Sequence, residues 1–256
     1  FVKDHPEEFP YLQGNTWMVD MASHLSVSGF AKTLKKAMDN HEFSGRLEGI
    51  LFFETNNPGE MLINTSRLHG YDATDPIQLT KAEIEGRKQV RELEAFFKNR
   101  IPGFQNAVLL QSGPNVGVRG SRQIKGMYCL TQEDILKATR FEDAIAHAGY
   151  PIDVHSPDGK ETVVKEDMHI KHGTVYSIPY RCLVNPYVHN LITVGRCISA
   201  TFEAQGAIRT TPTAGAIGHA GGVAAHLARK QGVKPRDVSI PELQRILKEQ
   251  GAYLLV

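Results

Sequence analysis

Cysteine is scarce in this sequence, with three among its 256 residues. Cys129, Cys182 and Cys197 are odd in number and form no C-x-x-C pair, so their pattern favours neither a disulfide framework nor a structural zinc site. We therefore expect three buried thiols.

The chain also lacks a charge excess and a long apolar run. Its 29 Lys and Arg balance 28 Asp and Glu, so the overall charge gives no reason for binding to nucleic acid or to an anionic membrane. No apolar run approaches the roughly 20 residues of a bilayer span, and the first residues lack the features of a secretion signal. With 41% hydrophobic and 22% charged residues, we expect a globular cytoplasmic protein that binds neither nucleic acid nor membrane.

Several familiar motifs are missing. No two glycines lie two positions apart, so the G-x-G-x-x-G turn of a dinucleotide-binding Rossmann unit is absent. A Gly-Lys pair is followed by Glu161 where a P-loop needs Ser or Thr, and no serine stands in a G-x-S-x-G motif. The tightest grouping of metal-capable side chains is Asp167, His169 and His172, but an extended chain places His172 on the opposite face, so we predict no metal site.

Turn residues and hydrophobic periodicity predict a chain of the α+β or α/β class, in which a mixed β-sheet with hairpins is flanked by helices. Asn and Gly between two apolar runs indicate a hairpin, and Ser or Thr followed three residues later by Glu indicates a helix start. We predict strands over 17–22, 47–54, 60–66, 106–112, 124–130 and 191–194, with extended segments through 162–184 and a long connection over 195–211. We predict helices over 26–40, 80–99, 131–138, 212–230 and 239–250. The predicted helix caps are Thr80, Thr131 and Ser239.

Glycine is concentrated in the helix predicted over 212–230, which contains Gly215, Gly218, Gly221 and Gly222. Each glycine inside a helix costs about 0.8 to 1 kcal/mol relative to alanine, so the four together cost roughly 3 to 4 kcal/mol. Small residues on successive turns let a helix axis lie close to a sheet or a ligand. Close packing between helix and sheet alone is the alternative explanation.

The start of this helix favours a ligand. Pro212, Thr213 and Gly215 place no bulky side chain in the first turn, whose unpaired N–H groups and positive dipole end form a site for an anionic group. The connection before the helix carries Arg196 and Arg209, and connections of about 17 residues are usually functional.

Five stretches of the sequence resemble one known family. The most specific, ITVGRCISATFEAQGAIRTTPTAGAIGHAGGVAAHLA over 192–228, is similar to the C-terminal motif of FAD-dependent oxidoreductases built on the glutathione-reductase-like flavin fold. The supporting stretches are GVRGSRQI over 117–124, MYCLTQEDI over 127–135, YPIDVHSPDG over 150–159 and IPYRCLV over 178–184.

The resemblance implies a substrate or cap domain over residues 1–185 and the C-terminal part of an FAD-binding domain over 186–256. In that family an N-terminal Rossmann unit grips the ADP half of FAD, so we expect a partial FAD site here that a missing N-terminal dinucleotide-binding portion completes. By this likeness the GR pair lies beside the pyrophosphate or ribityl, and the first turn of the glycine-rich helix faces the pyrimidine edge of the flavin. The residues implied to bind the cofactor are Gly195, Arg196, Arg209, Pro212, Thr213, Gly215 and Gly218.

Arginine and histidine supply the candidate catalytic groups. Arg119, Arg122 and Arg209 are suited to hold a substrate carboxylate or an anionic edge of the flavin. A base could come from the histidine or from Asp153 of YPIDVH. Two positions depart from the family pattern, since Gly120 stands where an acidic residue is expected and Phe202 where relatives commonly carry histidine. The candidate catalytic residues are Arg119, Arg122 and His155.

These observations predict an FAD-dependent oxidoreductase, or a fragment of one, that transfers hydride from a small organic substrate to flavin and is catalytically incomplete as this chain alone. The alternative is a noncatalytic binding module that keeps the substrate-domain fold without FAD. The missing G-x-G-x-x-G motif favours the alternative, and the glycine-rich helix favours the enzyme because an interaction module has no need of so costly a backbone.

Overall fold

The computed structural model describes residues 1–45, 47, 49–154, 170–171 and 173–255. The chain divides into two compact units, Phe1–Gly117 and Val118–Val256. The boundary that we predict at residue 185 separates a substrate-binding part of the chain from a cofactor-binding part. It stays a prediction. The class is confirmed as α+β, with seven α-helices and two small antiparallel sheets among the described residues.

The first unit is built on a three-stranded antiparallel sheet, in which β2 (Ile50–Glu54) lies between β1 (Ser26–Gly29) and β3 (Met61–Asn64). The predicted hairpin is confirmed, because β2 and β3 pair with Phe52 opposite Ile63. Phe52 also packs against Phe30 and Phe97, with ring centroids 5.5 and 5.9 Å apart, and this aromatic cluster forms the centre of the core. The elements are 3₁₀ turns Pro6–Glu8 and Pro10–Leu12, α1 (Met18–Met21), β1 (Ser26–Gly29), α2 (Ala31–Asp39), β2 (Ile50–Glu54), β3 (Met61–Asn64) and α3 (Pro76–Arg100).

Helix α3 begins before its predicted start. Asp75 caps it, since its carboxylate accepts hydrogen bonds from the backbone N–H of Ile77 and Gln78, and Pro76 occupies the first helical position. Thr80, the predicted cap, lies inside the helix and donates its hydroxyl to the Pro76 carbonyl at 2.8 Å. An Asp-Pro pair therefore determines the start, because proline needs no N–H partner in a first turn.

Three other predictions for this unit are wrong. The apolar run over 17–22 contains the short helix α1 rather than a strand, since a short apolar run does not by itself distinguish the two states. The helix predicted over 26–40 is divided: Ser26–Gly29 pairs with β2, and Phe30 takes a left-handed conformation with φ of 56° before α2 begins. The extended residues over 106–112 form no strand, and within the described residues no neighbouring strand pairs with them.

The second unit contains a two-stranded antiparallel sheet of β4 (Ala144–Ala148) and β5 (Tyr176–Pro179). Helix α6 (Thr211–Gln231) packs against β4, and α7 (Ile240–Glu249) packs against α6. The buried core includes Ile145, Ile178, Ile208 and Leu227. Its elements are α4 (Gln132–Leu136), β4 (Ala144–Ala148), β5 (Tyr176–Pro179), α5 (Phe202–Ile208), α6 (Thr211–Gln231), α7 (Ile240–Glu249) and 3₁₀ turns Tyr180–Cys182, Gly195–Cys197 and Pro235–Asp237.

Helices α4, α6 and α7 confirm the predicted helices of this unit. Helix α6 ends where expected, with Gly232 in the left-handed region at φ of 68°. Helix α7 follows Ser239 and precedes Gly251, although the serine side chain makes no capping hydrogen bond. No helix in the described part of the chain is long and apolar enough to cross a membrane.

The predicted strands over 124–130 and 191–194 are wrong, because each contributes only one isolated bridge. Leu130 bridges to Ala200, and Ile192 bridges to Val184. The connection predicted over 195–211 contains the 3₁₀ turn Gly195–Cys197 and helix α5. An apolar pattern does not determine whether other segments will pair with it, and here Leu191 and Val194 remain about 40% exposed.

The cysteines differ from one another in exposure. All three are free thiols, and the prediction that all of them are buried is wrong, because Cys182 is buried while Cys129 and Cys197 are exposed. Burial raises the pKa of the Cys182 thiol to about 12, so this residue stays protonated at neutral pH.

We expect Thr131→Ala to lower the free energy of unfolding by about 1 kcal/mol. Thr131 and Asp134 form a reciprocal capping box at the start of α4, and the Asp134 carboxylate also accepts the Tyr128 hydroxyl at 2.9 Å. Denaturant unfolding followed by circular dichroism measures the loss. Thr139→Ala is the matched control, because the Thr139 side chain makes no hydrogen bond with the described residues, and an equal loss in both variants would contradict the capping role.

Candidate active site

The first turn of α6 is open at its N-terminus. Thr210 is the N-cap residue, yet its side chain makes no capping hydrogen bond, and Pro212 occupies the first turn. The Thr213 side chain is buried, with its hydroxyl 3.1 Å from that of Thr210. The N–H groups of this turn therefore have no side-chain cap, which leaves them suited to an anionic partner.

The glycines of α6 fall into two groups. A Cβ atom on Gly215, Gly218 or Gly222 would meet nothing within 4 Å among the described residues, whereas one on Gly221 would overlap the Val194 side chain. Close packing between elements therefore accounts for Gly221 alone. The other three form an open face of bare backbone, and we expect a ligand to approach closely at the end of this face nearest the start of the helix, at Gly215 and Gly218.

The turn Gly195–Cys197 lies against α6, which the contact between Val194 and Gly221 makes possible. Gly195 has φ of 71°, a left-handed conformation that glycine adopts without strain. Arg196 is exposed. The structure thus brings the predicted GR pair onto the same helix as the predicted cofactor-binding glycines.

Arg209 is the most buried cation of the site, with a side chain 13% exposed. Its Nη2 donates to the backbone carbonyl of Asp153 at 2.7 Å and to the Asp153 carboxylate at 3.0 Å. Because Arg209 lies between α5 and α6, this double contact attaches the segment around Asp153 to the start of α6.

Two further contacts hold that segment against α5. The buried Tyr176 hydroxyl lies 3.1 Å from the Tyr150 carbonyl and 3.2 Å from the Ala207 carbonyl. A Cβ atom on Gly206 would lie 2.8 Å from the Asp153 carbonyl oxygen, so only glycine permits this distance between α5 and the segment. The position of Asp153 is therefore determined by packing and hydrogen bonds rather than by its own side chain.

Arg119 approaches the same carboxylate from another direction. Its Nη1 lies 3.9 Å from the Asp153 carboxylate, and its side chain is 47% exposed. Its backbone carbonyl accepts a hydrogen bond of 2.8 Å from the buried Gln205 side chain. Gln205 thus positions the backbone of Arg119 while leaving its guanidinium accessible to solvent.

The electrostatics of the cluster reflect an excess of positive charge. Burial lowers the pKa of Arg209, and repulsion from Arg119 and Arg196 lowers it further, while Asp153 acts in the opposite direction. Burial and the Asp153 carboxylate raise the pKa of Tyr150. Its phenol therefore stays protonated at neutral pH and donates its hydrogen bond to Asp153.

The other predicted residues are placed differently. Arg122 is exposed and makes no hydrogen bond or ion pair with the described residues. His155 lies outside the described residues, as do Asp167, His169 and His172. Within the described ranges no three His, Cys, Asp or Glu side chains lie close enough together to hold a metal ion.

Sequence reasoning gave no role to Tyr150 or Gln205 and considered Asp153 only as a base. All three lie inside stretches that resemble the flavin family. Their contacts with Arg119 and Arg209 join residues up to 86 positions apart. The spacing of residues within one sequence motif cannot predict such contacts.

Comparison with known proteins defines the class. A family model for FAD dependent oxidoreductase matches residues 10–247. This protein belongs to the family of FAD-dependent oxidoreductases. No curated protein and no solved structure matches it significantly.

The described residues fit an FAD cofactor. The uncapped first turn of α6 presents N–H donors, and Arg196 and Arg209 supply positive charge within the same unit. FAD offers an anionic pyrophosphate and a flavin edge rich in hydrogen-bond acceptors, which suit this donor set. The open face of Gly215 and Gly218 leaves room for close contact.

The two adjacent glycines of α6 provide a matched test of the packing. Gly222→Ala is expected to raise the free energy of unfolding by about 0.8 to 1 kcal/mol, because its Cβ meets nothing and alanine is the better helix former. Gly221→Ala is expected to lower it by about 1 kcal/mol or more, because the added methyl overlaps Val194. Denaturant unfolding of the flavin-free protein measures both, and changes of the same sign would contradict the assignment.

Proposed function

We propose that this protein is the substrate-binding part, over 1–185, and the C-terminal flavin-binding part, over 186–256, of a cytoplasmic oxidoreductase that transfers hydride from a small organic substrate to FAD. The main observation in support is the start of α6, where an uncapped first turn, an open glycine face and a buried arginine lie together. The family match to FAD-dependent oxidoreductases supports the same cofactor.

In this proposal the residues of α6 and of the turn before it hold the cofactor. The first turn donates N–H groups to the flavin edge, with Pro212 and Thr213 shaping it, and the cationic groups lie beside the anionic parts of FAD. The residues that hold FAD are Gly195, Arg196, Arg209, Pro212, Thr213, Gly215 and Gly218.

When bound, FAD supplies the acceptor for the two electrons and hydrogen that leave the substrate as hydride. The chain's own residues bind and orient the substrate. Arg119 is the donor for an anionic substrate group, because its guanidinium is half-exposed and its backbone is held by Gln205. Arg122 and His155 stay candidates for further binding and for proton removal.

The proposal also includes an incomplete cofactor site. A G-x-G-x-x-G turn normally anchors the ADP half of FAD, and the 256 residues contain none. A separate dinucleotide-binding portion would provide that anchor, so the activity requires it.

We expect this chain, purified alone, to carry well under one equivalent of FAD, because loss of the ADP anchor removes much of the binding free energy. Added FAD should still bind weakly at the start of α6. Gly215→Val and Gly218→Val should remove this binding, because each places a branched side chain on the open face. Flavin fluorescence and absorbance measure occupancy.

Gly222→Val is the matched control for flavin binding, since it makes the same change on the same face further along α6. A stoichiometrically yellow preparation would contradict the incomplete site. Binding that the Gly215 and Gly218 variants leave unchanged would contradict the placement of FAD on α6.

In the complete enzyme, Arg119→Lys is expected to lower turnover at least tenfold while leaving flavin bound, because lysine keeps the charge but loses the two-pronged geometry. Steady-state kinetics and flavin absorbance together test this. A change in flavin occupancy or reduction potential would instead assign Arg119 to the cofactor, and unchanged turnover, occupancy and potential would show that the substrate pocket lies elsewhere.

A further inference from the structure

Residues 252–255 follow α7 and form a strap that lies against the core of the second unit. Leu254 is buried in that core, and Ala252 packs against it. The other two side chains of the strap, Tyr253 and Leu255, are exposed. One buried leucine and a few backbone hydrogen bonds therefore hold the strap in place.

A histidine side chain binds the outer end of the strap. The backbone N–H of Leu255 donates to Nε2 of His147 in β4 at 2.8 Å, and the Tyr253 ring lies 6.4 Å from the imidazole ring. A backbone N–H can only donate, so Nε2 must carry a lone pair. The contact therefore requires a neutral His147 whose single ring proton is on Nδ1.

The partners of Nδ1 allow this tautomer. Nδ1 lies 3.2 Å from the Ser177 hydroxyl on β5, which can accept its proton. It also lies 3.0 Å from a guanidinium nitrogen of Arg140, which can only donate, and a neutral ring cannot accept from both Arg140 and Leu255. Arg140 is exposed and free to turn away, whereas the buried Leu254 holds the Leu255 N–H in place. We therefore assign the ring proton to Nδ1 from these contacts.

The surroundings of His147 favour its neutral form. Burial lowers the pKa of His147, the charge of Arg140 lowers it further, and a hydrogen bond with the Tyr176 backbone acts in the opposite direction. The strap adds the Tyr253 phenol and β5 adds the Ser177 hydroxyl. Within the described part of the chain, no charged group of α6 or α7 acts on this pKa.

We propose that His147 and the strap form a pH-sensitive latch, in which neutral His147 holds the strap against β4 and protonation of Nε2 releases it. A proton on Nε2 turns the acceptor into a donor that faces the Leu255 N–H, so the hydrogen bond is lost and two donors oppose each other. The latch does not depend on flavin binding. Strand β4 runs directly into the segment that carries Tyr150 and Asp153, so the latch lies on the strand that leads into the candidate active site.

The direction of the pH dependence follows from this contact. Once the strap is released, Nε2 is open to water, and the pKa of His147 moves towards its ordinary value of about 6.5. The docked strap holds the pKa lower, because the contact needs the neutral ring. Docking is therefore at full strength above about pH 6.5 and weakens as the pH falls below it, by up to about tenfold between pH 7.5 and pH 5.5.

The test measures the protection of the Leu255 amide against exchange with solvent. NMR of the flavin-free 256-residue protein gives this protection at about pH 7.5 and about pH 5.5, each corrected for the intrinsic exchange rate at that pH. We expect it to fall by up to about tenfold at the lower pH. The Ala252 amide is the internal reference, because it donates to the Leu247 carbonyl at 2.9 Å, an acceptor that does not titrate.

Two variants separate the latch from a general effect of acid. His147→Gln should give equal protection of Leu255 at both pH values, because a glutamine amide oxygen can accept the N–H and does not titrate. His226→Gln is the matched control in the same unit, since His226 is exposed and makes no hydrogen bond with the described residues, and it should respond to pH as the unchanged protein does. Circular dichroism verifies the fold of each variant.

A Leu255 amide whose protection is the same at both pH values in the unchanged protein would overturn the inference. An equal loss of protection in His147→Gln, or at Ala252, would also overturn it, because acid would then act elsewhere in the protein. Nitrogen chemical shifts of the His147 ring in the unchanged protein keep the test decisive if His147→Gln fails to fold. They should show an unprotonated Nε2 at about pH 7.5, and a neutral ring with its proton on Nε2 would contradict the latch.

Discussion

The candidate site depends on the contact between Arg209 and Asp153, which joins the start of α6 to a segment 56 residues earlier in the chain. The bond to the backbone carbonyl is the more restrictive half of this contact, because it holds the main chain itself and does not rely on a side-chain rotamer. Tyr176 and Gly206 reinforce it where the segment packs against α5. With the segment held in this way, Tyr150 and Asp153 take defined positions beside Arg119.

Glycine has two physical roles along α6. At Gly221 the missing side chain allows Val194 to pack against the helix, and the gain is contact within the protein. At Gly215 and Gly218 the missing side chain leaves open space, so these positions carry the cost of helical glycine without any compensating contact among the described residues. In a member of an FAD-dependent oxidoreductase family, binding of the cofactor is the compensation that we propose.

Ion pairing, like packing, positions the residues of the candidate site. A buried arginine needs hydrogen-bond acceptors, and Arg209 obtains two from one residue. Burial lowers the pKa of Arg209, the charges of Arg119 and Arg196 act in the same direction, and Asp153 and Tyr150 oppose them. The carboxylate of Asp153 compensates part of this charge, and the remainder is available for substrate and cofactor, which are both anionic in our proposals.

Local signals in the sequence predicted those helices and hairpins whose ends are defined by capping or turn residues. The capping box at Thr131, the proline and C-terminal glycine of α6 and the hairpin turn between β2 and β3 were all predictable, because each depends on residues within a few positions of one another. The glycine-rich motif also indicated the flavin family, which the family match over residues 10–247 confirms.

The tertiary structure alone decided the rest. Whether the apolar runs over 106–112, 124–130 and 191–194 became strands depended on neighbours elsewhere in the chain, and the periodicity of a segment contains no information about them. The division of the glycines into packed and open ones, and the pairing of Asp153 with Arg209 and Arg119, likewise depended on which distant segments came together. Short-range preferences act between neighbours along the chain, whereas burial and ion pairing act between residues that are distant in sequence. The sequence therefore predicted which arginines belong to the site. Only the fold determined which of them is already paired.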